Sequence, residues 1–204
     1  MTHARLAIAA AVLALGSIAL ATGSLTQQAS NALTAIDSVP SKPLLDLVFA
    51  GAPTAQQDLA AIASDGASDP GIRLRAIEAL SQYCLQSTTP PRCDANDSAH
   101  QALLGVLGAN ANATSGTSLL ALRAAIAALG PLQVAADADV IAPLLDHDSR
   151  DIRATAARAL RDLCNPAAVA PLRARAQHEA VPQVTLAIDD ALRVLGQTPS
   201  PCPP

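Results

Sequence analysis

The chain lacks tryptophan altogether and carries one phenylalanine (Phe49), one tyrosine (Tyr83) and one lysine (Lys42) among 204 residues. Aromatic and β-branched side chains are what pleated sheets favour, so their scarcity argues against a β-rich core. The formal net charge is −4 and the isoelectric point is near 5.4, with no basic stripe and few rings for bases to stack on. Nucleic acid is therefore excluded as the expected partner. No C-x-x-C pair occurs and no histidine stands at zinc-ligand spacing from a cysteine, which removes the usual structural zinc sites. No glycine-rich phosphate loop appears, so nucleotide binding has no support. His3, His100, His147 and His178 have no nucleophile motif around them, and no catalytic residue or cofactor is expected.

What is present is alanine and leucine. Hydrophobic residues make up 50% of the chain against 15% charged, enough to bury a sizeable core in one domain. Alanine and leucine are the best helix formers, because they give up little side-chain freedom in a helix. An all-α fold is the expectation. Basic residues are almost all arginine, a bias that together with the alanine content suggests a GC-rich bacterial genome.

The N-terminal stretch places His3 and Arg5 before an apolar run from Leu6 through Leu20, with small residues at Ala19 and Ala21. That is the layout of a secretory signal peptide, with cleavage expected after Ala21. An uncleaved anchor is the alternative, although a bilayer span needs about 20 predominantly apolar residues and this run is short for one. No cysteine follows the cleavage position, which argues against a lipid anchor. Export would put all four cysteines in an oxidising compartment, where an even number favours pairing. Three connectivities are open. Cys84 and Cys93 flank a short Thr/Pro loop, and Cys202 lies in a Pro-rich tail (197–204) that can fold back to Cys164, so Cys84 with Cys93 and Cys164 with Cys202 are favoured.

The middle of the chain repeats. Ile72-Arg73-Leu74-Arg75-Ala76-Ile77-Glu78-Ala79-Leu80 aligns with Ile152-Arg153-Ala154-Thr155-Ala156-Ala157-Arg158-Ala159-Leu160, with apolar or small residues at i, i+4, i+7 and i+8. Weaker copies run from Ala121 to Leu129 and from Val184 to Leu192, so that Leu129, Leu160 and Leu192 recur 31 and 32 residues apart. From Leu80 to Leu129 the gap is longer by about 18 residues than that repeat, and the Cys84 to Cys93 loop sits in the excess. Each copy follows a shorter partner helix: Gln56 to Ala63, Ser98 to Leu107, Ala138 to Leu145 and Ala167 to Ala176. Asp69 and Ser149 stand where a helix N-cap is wanted, with Pro70 at the first helical position. The spacing predicts four helical hairpins over residues 55–196, preceded over 22–54 by a linker and an amphipathic stretch, Lys42 to Phe49, that would cap the first hairpin.

Asn165-Pro166-Ala167-Ala168-Val169-Ala170-Pro171-Leu172, and the run from Asp148 through Leu163, resemble the HEAT-like repeats of the phycobilisome-lyase type found in bacterial HEAT proteins. The resemblance covers about two thirds of the chain by the repeat spacing. Arg73 and Arg153 match the arginine that the family carries after its branched apolar residue, while Leu122 and Thr185 depart from it in the second and fourth copies. The resemblance implies a short α-solenoid whose concave surface is lined by the second helix of each hairpin. Arg73 and Arg153 are then expected to bond the neighbouring turn. His178-Glu179 is similar to the His-Glu pairs of HEAT-repeat deoxyhypusine hydroxylases, but one pair cannot build a di-iron site. A divalent-metal cluster joining it to Asp146-His147-Asp148 is the one metal arrangement the spacing would allow, set against the commoner use of such residues in turns.

The resulting expectation is a non-catalytic exported HEAT-repeat protein that binds another protein in the cell envelope, with Arg75, Arg123, Arg158, Arg161 and Arg193 as candidate contacts. Arginine suits bidentate pairing with carboxylates. Membrane contact is expected only if the N-terminal segment stays uncleaved. The alternatives are a HEAT-like lyase or metal-dependent enzyme and a purely structural, envelope-tethered module. Asn96-Asp97-Ser98 and Asn112-Ala113-Thr114 fit the glycosylation pattern, yet read more simply as turn and cap residues.

Overall fold

The computed structural model describes residues 31–34, 39–49, 51–84 and 93–197; the expected signal segment, residues 85–92 and the tail with Cys202 lie outside them. The described residues form nine α-helices and no strand: α1 Lys42–Val48, α2 Ala52–Ser64, α3 Pro70–Cys84, α4 Ser98–Asn110, α5 Gly116–Leu129, α6 Asp137–Ile141, α7 Arg150–Asp162, α8 Val169–Ala176 and α9 Pro182–Leu195. Short 3-10 turns cover Gly130–Leu132, Ala142–Asp146 and Pro166–Ala168. No helix among them is long and apolar enough to cross a membrane.

Local chemistry writes several of the helix starts. The Asp69 carboxylate accepts from the Gly71 and Ile72 N–H groups at 2.9 and 3.1 Å, capping α3. Asp97 does the same for α4 through Ala99 N–H at 2.8 Å. Such caps satisfy backbone donors that the first helical turn leaves free. Ser149, at the N-cap of α7, departs from expectation because its hydroxyl makes no cap bond; its N–H donates instead to His147 Nδ1 at 3.0 Å.

The helices pack as antiparallel neighbours and then on one another. α2 packs on α3, α4 on α5 and α8 on α9, while α7 packs on the Ala142–Asp146 turn. The second members also meet in sequence, α3 against α5, α5 against α7 and α7 against α9. The anchor leucines Leu80, Leu129 and Leu160 are fully buried, and Ile77, Ile126, Ile152 and Ile188 fill the space beside them. Small residues let these helices close up. A Cβ on Gly130 would stand 2.9 Å from Ala159 Cα, a separation that real Cβ atoms do not reach, so the backbones of α5 and α7 approach there only because one side chain is a hydrogen atom.

α1 packs on α2 and α3, in the capping position expected for Lys42 to Phe49. Gln82 of α3 fastens it from both sides, accepting from Lys42 N–H at 2.8 Å and donating to the Pro40 carbonyl at 3.1 Å. Lys42 Nζ lies 5.1 Å from the centre of the Tyr83 ring and 2.7 Å from Asp46. Burial first, then the adjacent Asp46 carboxylate, push the Tyr83 hydroxyl well above its ordinary pKa. The buried Tyr83 is followed by Cys84, which is joined to Cys93 across a Cα separation of 4.9 Å. Cys93 N–H then reaches the Leu132 carbonyl at 3.5 Å, so the bridge ties the end of α3 to the turn after α5. Cys164 is disulfide-bonded as well; Cys202, its expected partner, is outside the described residues.

The third hairpin differs most from the sequence reading. A single helix over Ala138 to Leu145 was expected, but α6 ends at Ile141 and a 3-10 turn takes over. Pro143 removes a backbone donor and clashes with the carbonyl four residues before it, which ends the α-helical ladder. The fourth partner helix is likewise preceded by a 3-10 turn, in which the Asn165 side chain accepts from Ala167 N–H at 3.0 Å.

Candidate functional site

The surface singled out by the sequence lies on the outward side of α3, α5, α7 and α9. At about 100° per residue, counted from the anchor leucine of each helix, Leu120, Arg123, Arg158, Leu186 and Arg193 fall within one arc of roughly 120°. Arg123 and Arg158 are exposed and form no ion pair with any described residue. Two leucines share their face, Leu120 at 45% exposure and Leu186 at 72%. Apolar side chains this open, beside guanidinium groups, are the composition of a contact surface. They had not been singled out from sequence, although they fall on the polar side of the helical register, and that misplacement is the signal that finds them.

The other three candidate arginines are engaged within the chain. Arg161 donates to Asp190 at 2.6 Å and to Asp162 at 2.7 Å. Arg193 donates to the second oxygen of Asp190 at 2.5 Å. The hydrogen bonds from Arg161 and then Arg193 hold the Asp190 carboxyl below its usual value, and the same contacts with Asp190 and Asp162 raise the Arg161 guanidinium. Arg161 and Arg193 thus tie α7 to α9 before they meet any partner; both edge a shallow groove of about 550 Å3 with Pro131, Gln133 and Cys164. Arg75 on α3 is half-buried and has an interaction of its own.

Arg73 and Arg153 perform the turn-bonding role expected of them. Arg73 Nε donates to the Ala63 carbonyl at 2.9 Å across the turn between α2 and α3. Arg153 Nη1 donates to the carbonyls of His147 and Asp148 at 3.0 and 2.9 Å. Arg153 also turns its other two nitrogens on Glu179, at 2.8 and 3.1 Å. Arg175 reaches the same carboxylate at 3.0 and 2.7 Å, and Val181 N–H donates to it at 2.9 Å. The Glu179 side chain is 1% exposed. The Arg153 hydrogen bonds, helped by Val181 N–H and Arg175 against the opposing effect of burial, hold its pKa at about 2. A carboxylate held by two guanidinium groups is occupied as a ligand, so Glu179 belongs to this clamp and not to a metal cluster.

The remaining parts of that expected cluster also separate. Asp146 accepts from Arg175 at 3.0 Å, His147 Nδ1 is taken by Ser149 N–H, and His178 is exposed. Among the described residues no group of three His, Cys, Asp or Glu side chains is arranged to hold a metal ion. Asp146, His147 and Asp148 instead edge a cleft of about 570 Å3 whose apolar wall is Leu107, Val140, Pro143 and Leu144. Asn112 and Thr114, of the second glycosylation pattern, line it too.

One polar cluster lies wholly inside. His100 of α4 and Asp137 at the start of α6 are each 1% exposed, and His100 Nε2 is 2.9 Å from both carboxylate oxygens. His100 Nδ1 is 3.0 Å from the Ala95 carbonyl. Burial pushes the Asp137 carboxyl above its ordinary range, and the histidine opposes that rise. Thirty-seven residues separate the two, so no local pattern announces the pair.

No protein-family model matches the chain, and no curated protein matches it either.

Proposed function

We propose that this chain is a non-catalytic, exported helical-repeat protein of HEAT-like type that binds another protein through the outward face of α5, α7 and α9. The observation that carries the reading is the coincidence of two features. The second helix of each hairpin packs on the next, in the manner of stacked repeats that present one extended surface. On that surface Arg123 and Arg158 stand beside the exposed Leu120 and Leu186. The partner is a protein with acidic side chains around an apolar contact, because guanidinium groups pair carboxylates bidentately while leucines contribute area. The Cys84–Cys93 bridge supports an oxidising compartment and so favours the exported reading. The clamp on Glu179 weighs against the metal-dependent alternative.

The test is binding of envelope proteins by the exported chain, compared with R123E/R158E and with R173E, which reverses an exposed arginine on α8, outside the α5 to α9 face. Loss of a bound protein in the double variant, with retention in R173E, supports the reading. Equal binding by all three overturns it.

A further inference from the structure

We infer that His100 and Asp137 hold a single shared proton that acts as a pH-sensitive latch between α4 and α6, closed at neutral pH and released as the pH rises. The geometry fixes the proton count. A carbonyl oxygen only accepts, so Nδ1, 3.0 Å from Ala95 O, must carry a hydrogen. Nε2 then faces a carboxyl group at 2.9 Å, and a contact that close requires one more hydrogen, either on Nε2 or on the acid. Imidazolium beside carboxylate and neutral imidazole beside carboxylic acid are the two descriptions of that state. Removing the proton leaves no good arrangement. With the hydrogen on Nδ1, the Nε2 lone pair meets the carboxylate; with it on Nε2, the Nδ1 lone pair meets the Ala95 carbonyl. Either way one buried bond becomes a repulsion between acceptors, and water cannot relieve it where both side chains are 1% exposed.

The surroundings leave the proton to these two groups. His100 is the only charged or titratable residue that perturbs Asp137. On the elements packed around α4 and α6 the other charges are turned elsewhere. Asp97 accepts from Ala99 N–H and Gln56, Arg73 reaches Ala63, and Arg153 is bound to Glu179. Glu78, Arg123, Asp139, Arg150, Asp151 and Arg158 are exposed, while Asp58 and Arg75 are half-buried on α2 and α3. The position matters because α4 and α6 are not otherwise packed helix on helix, so the pair is the polar tie across that seam and also fixes Ala95, two residues after the disulfide.

The sign of the pH effect follows from linkage. The folded pair holds its proton more firmly than the unfolded chain, so the stabilisation is complete below the unfolded histidine value of about 6.5 and is lost as the pH rises through release from the folded pair. Within that window the folded state binds one proton more than the unfolded state. The unfolding constant should therefore rise about tenfold per pH unit from this pair alone. In D137N a neutral histidine and an amide can bond without the extra proton, and the step should vanish.

The full chain is unfolded by denaturant at a series of pH values from 6 to 10, wild type against D137N, taking the difference in slope. A wild-type slope steeper by about one proton supports the latch; parallel slopes overturn it. Should D137N fail to fold, the ring 15N shifts of His100 and the carboxyl 13C shift of Asp137 in the wild type decide at pH 7. Two ring hydrogens, or a protonated Asp137, support the proposal, and a neutral ring beside an ionised Asp137 overturns it.

Discussion

Glu179→Gln isolates the clamp that joins α7, α8 and the turn before α9. The substitution keeps the side chain's shape but replaces a carboxylate that takes four guanidinium bonds and one backbone N–H. The Glu179 pKa is held at about 2 against an ordinary 4.5. A difference of that size corresponds to about 3 kcal/mol by linkage. Arg175 keeps 19% of its side chain in water and Arg153 10%, so part of the charge is screened. A loss of about 2 kcal/mol is the working figure after that discount. For a chain of this size it lowers the melting temperature by about 4 to 8 °C. The sign is fixed by the depressed value: the stabilisation is present above the unfolded value near 4.5 and is lost as the pH falls towards about 2. Chemical unfolding of wild type and variant at several pH values between 7 and 2 measures it. The two curves should lie apart at neutral pH and converge in acid. A separation that stays constant across that range, or one below about 0.5 kcal/mol at pH 7, would refute the reasoning, because a buried clamp of this geometry cannot be worth so little.

Two further outcomes follow from the packing. Gly130→Ala places a methyl 2.9 Å from the Ala159 backbone, and the overpacking should cost about 1 to 3 kcal/mol, seen as a lower denaturation midpoint with an unchanged slope. Cys84→Ser with Cys93→Ser opens a loop of nine-residue separation; on the chain-entropy model the loss is about 2 to 3 kcal/mol, and intact mass after alkylation without reduction checks that both thiols are bonded in the native chain.

What the sequence made legible was whatever is written within one helical turn or repeated along the chain. α3 and α7 could be placed from the spacing of Ile72, Ala76, Leu80 and Ile152, Ala156, Leu160, and the Asp69 cap from its neighbours, because those preferences act over three or four residues. The same spacing gave Arg73 and Arg153 one role in two copies. The third partner helix was misread because Pro143 inside an apolar run weighs more than the run itself. Glu179 was paired with His178 as a metal-type motif, yet its partners are Arg153 and Arg175, set by the stacking of α7 against the turn before α9. His100 and Asp137 were invisible for the same reason, since only tertiary packing brings α4 to the start of α6. On the surface, arginine count alone could not separate Arg123 and Arg158 from Arg161 and Arg193, whose common acid, Asp190, comes from α9.

The central claim is that the face carrying Leu120, Arg123, Arg158 and Leu186 binds a protein, and the most direct measurement is the affinity of an isolated envelope partner for the wild type, R123E/R158E and L120S/L186S, with R173E as the control. The account predicts that both double variants lose at least tenfold in affinity while melting like the wild type, and that the charge-reversed one loses the salt dependence of binding. Unchanged affinity in both, with R173E equally unaffected, would contradict it.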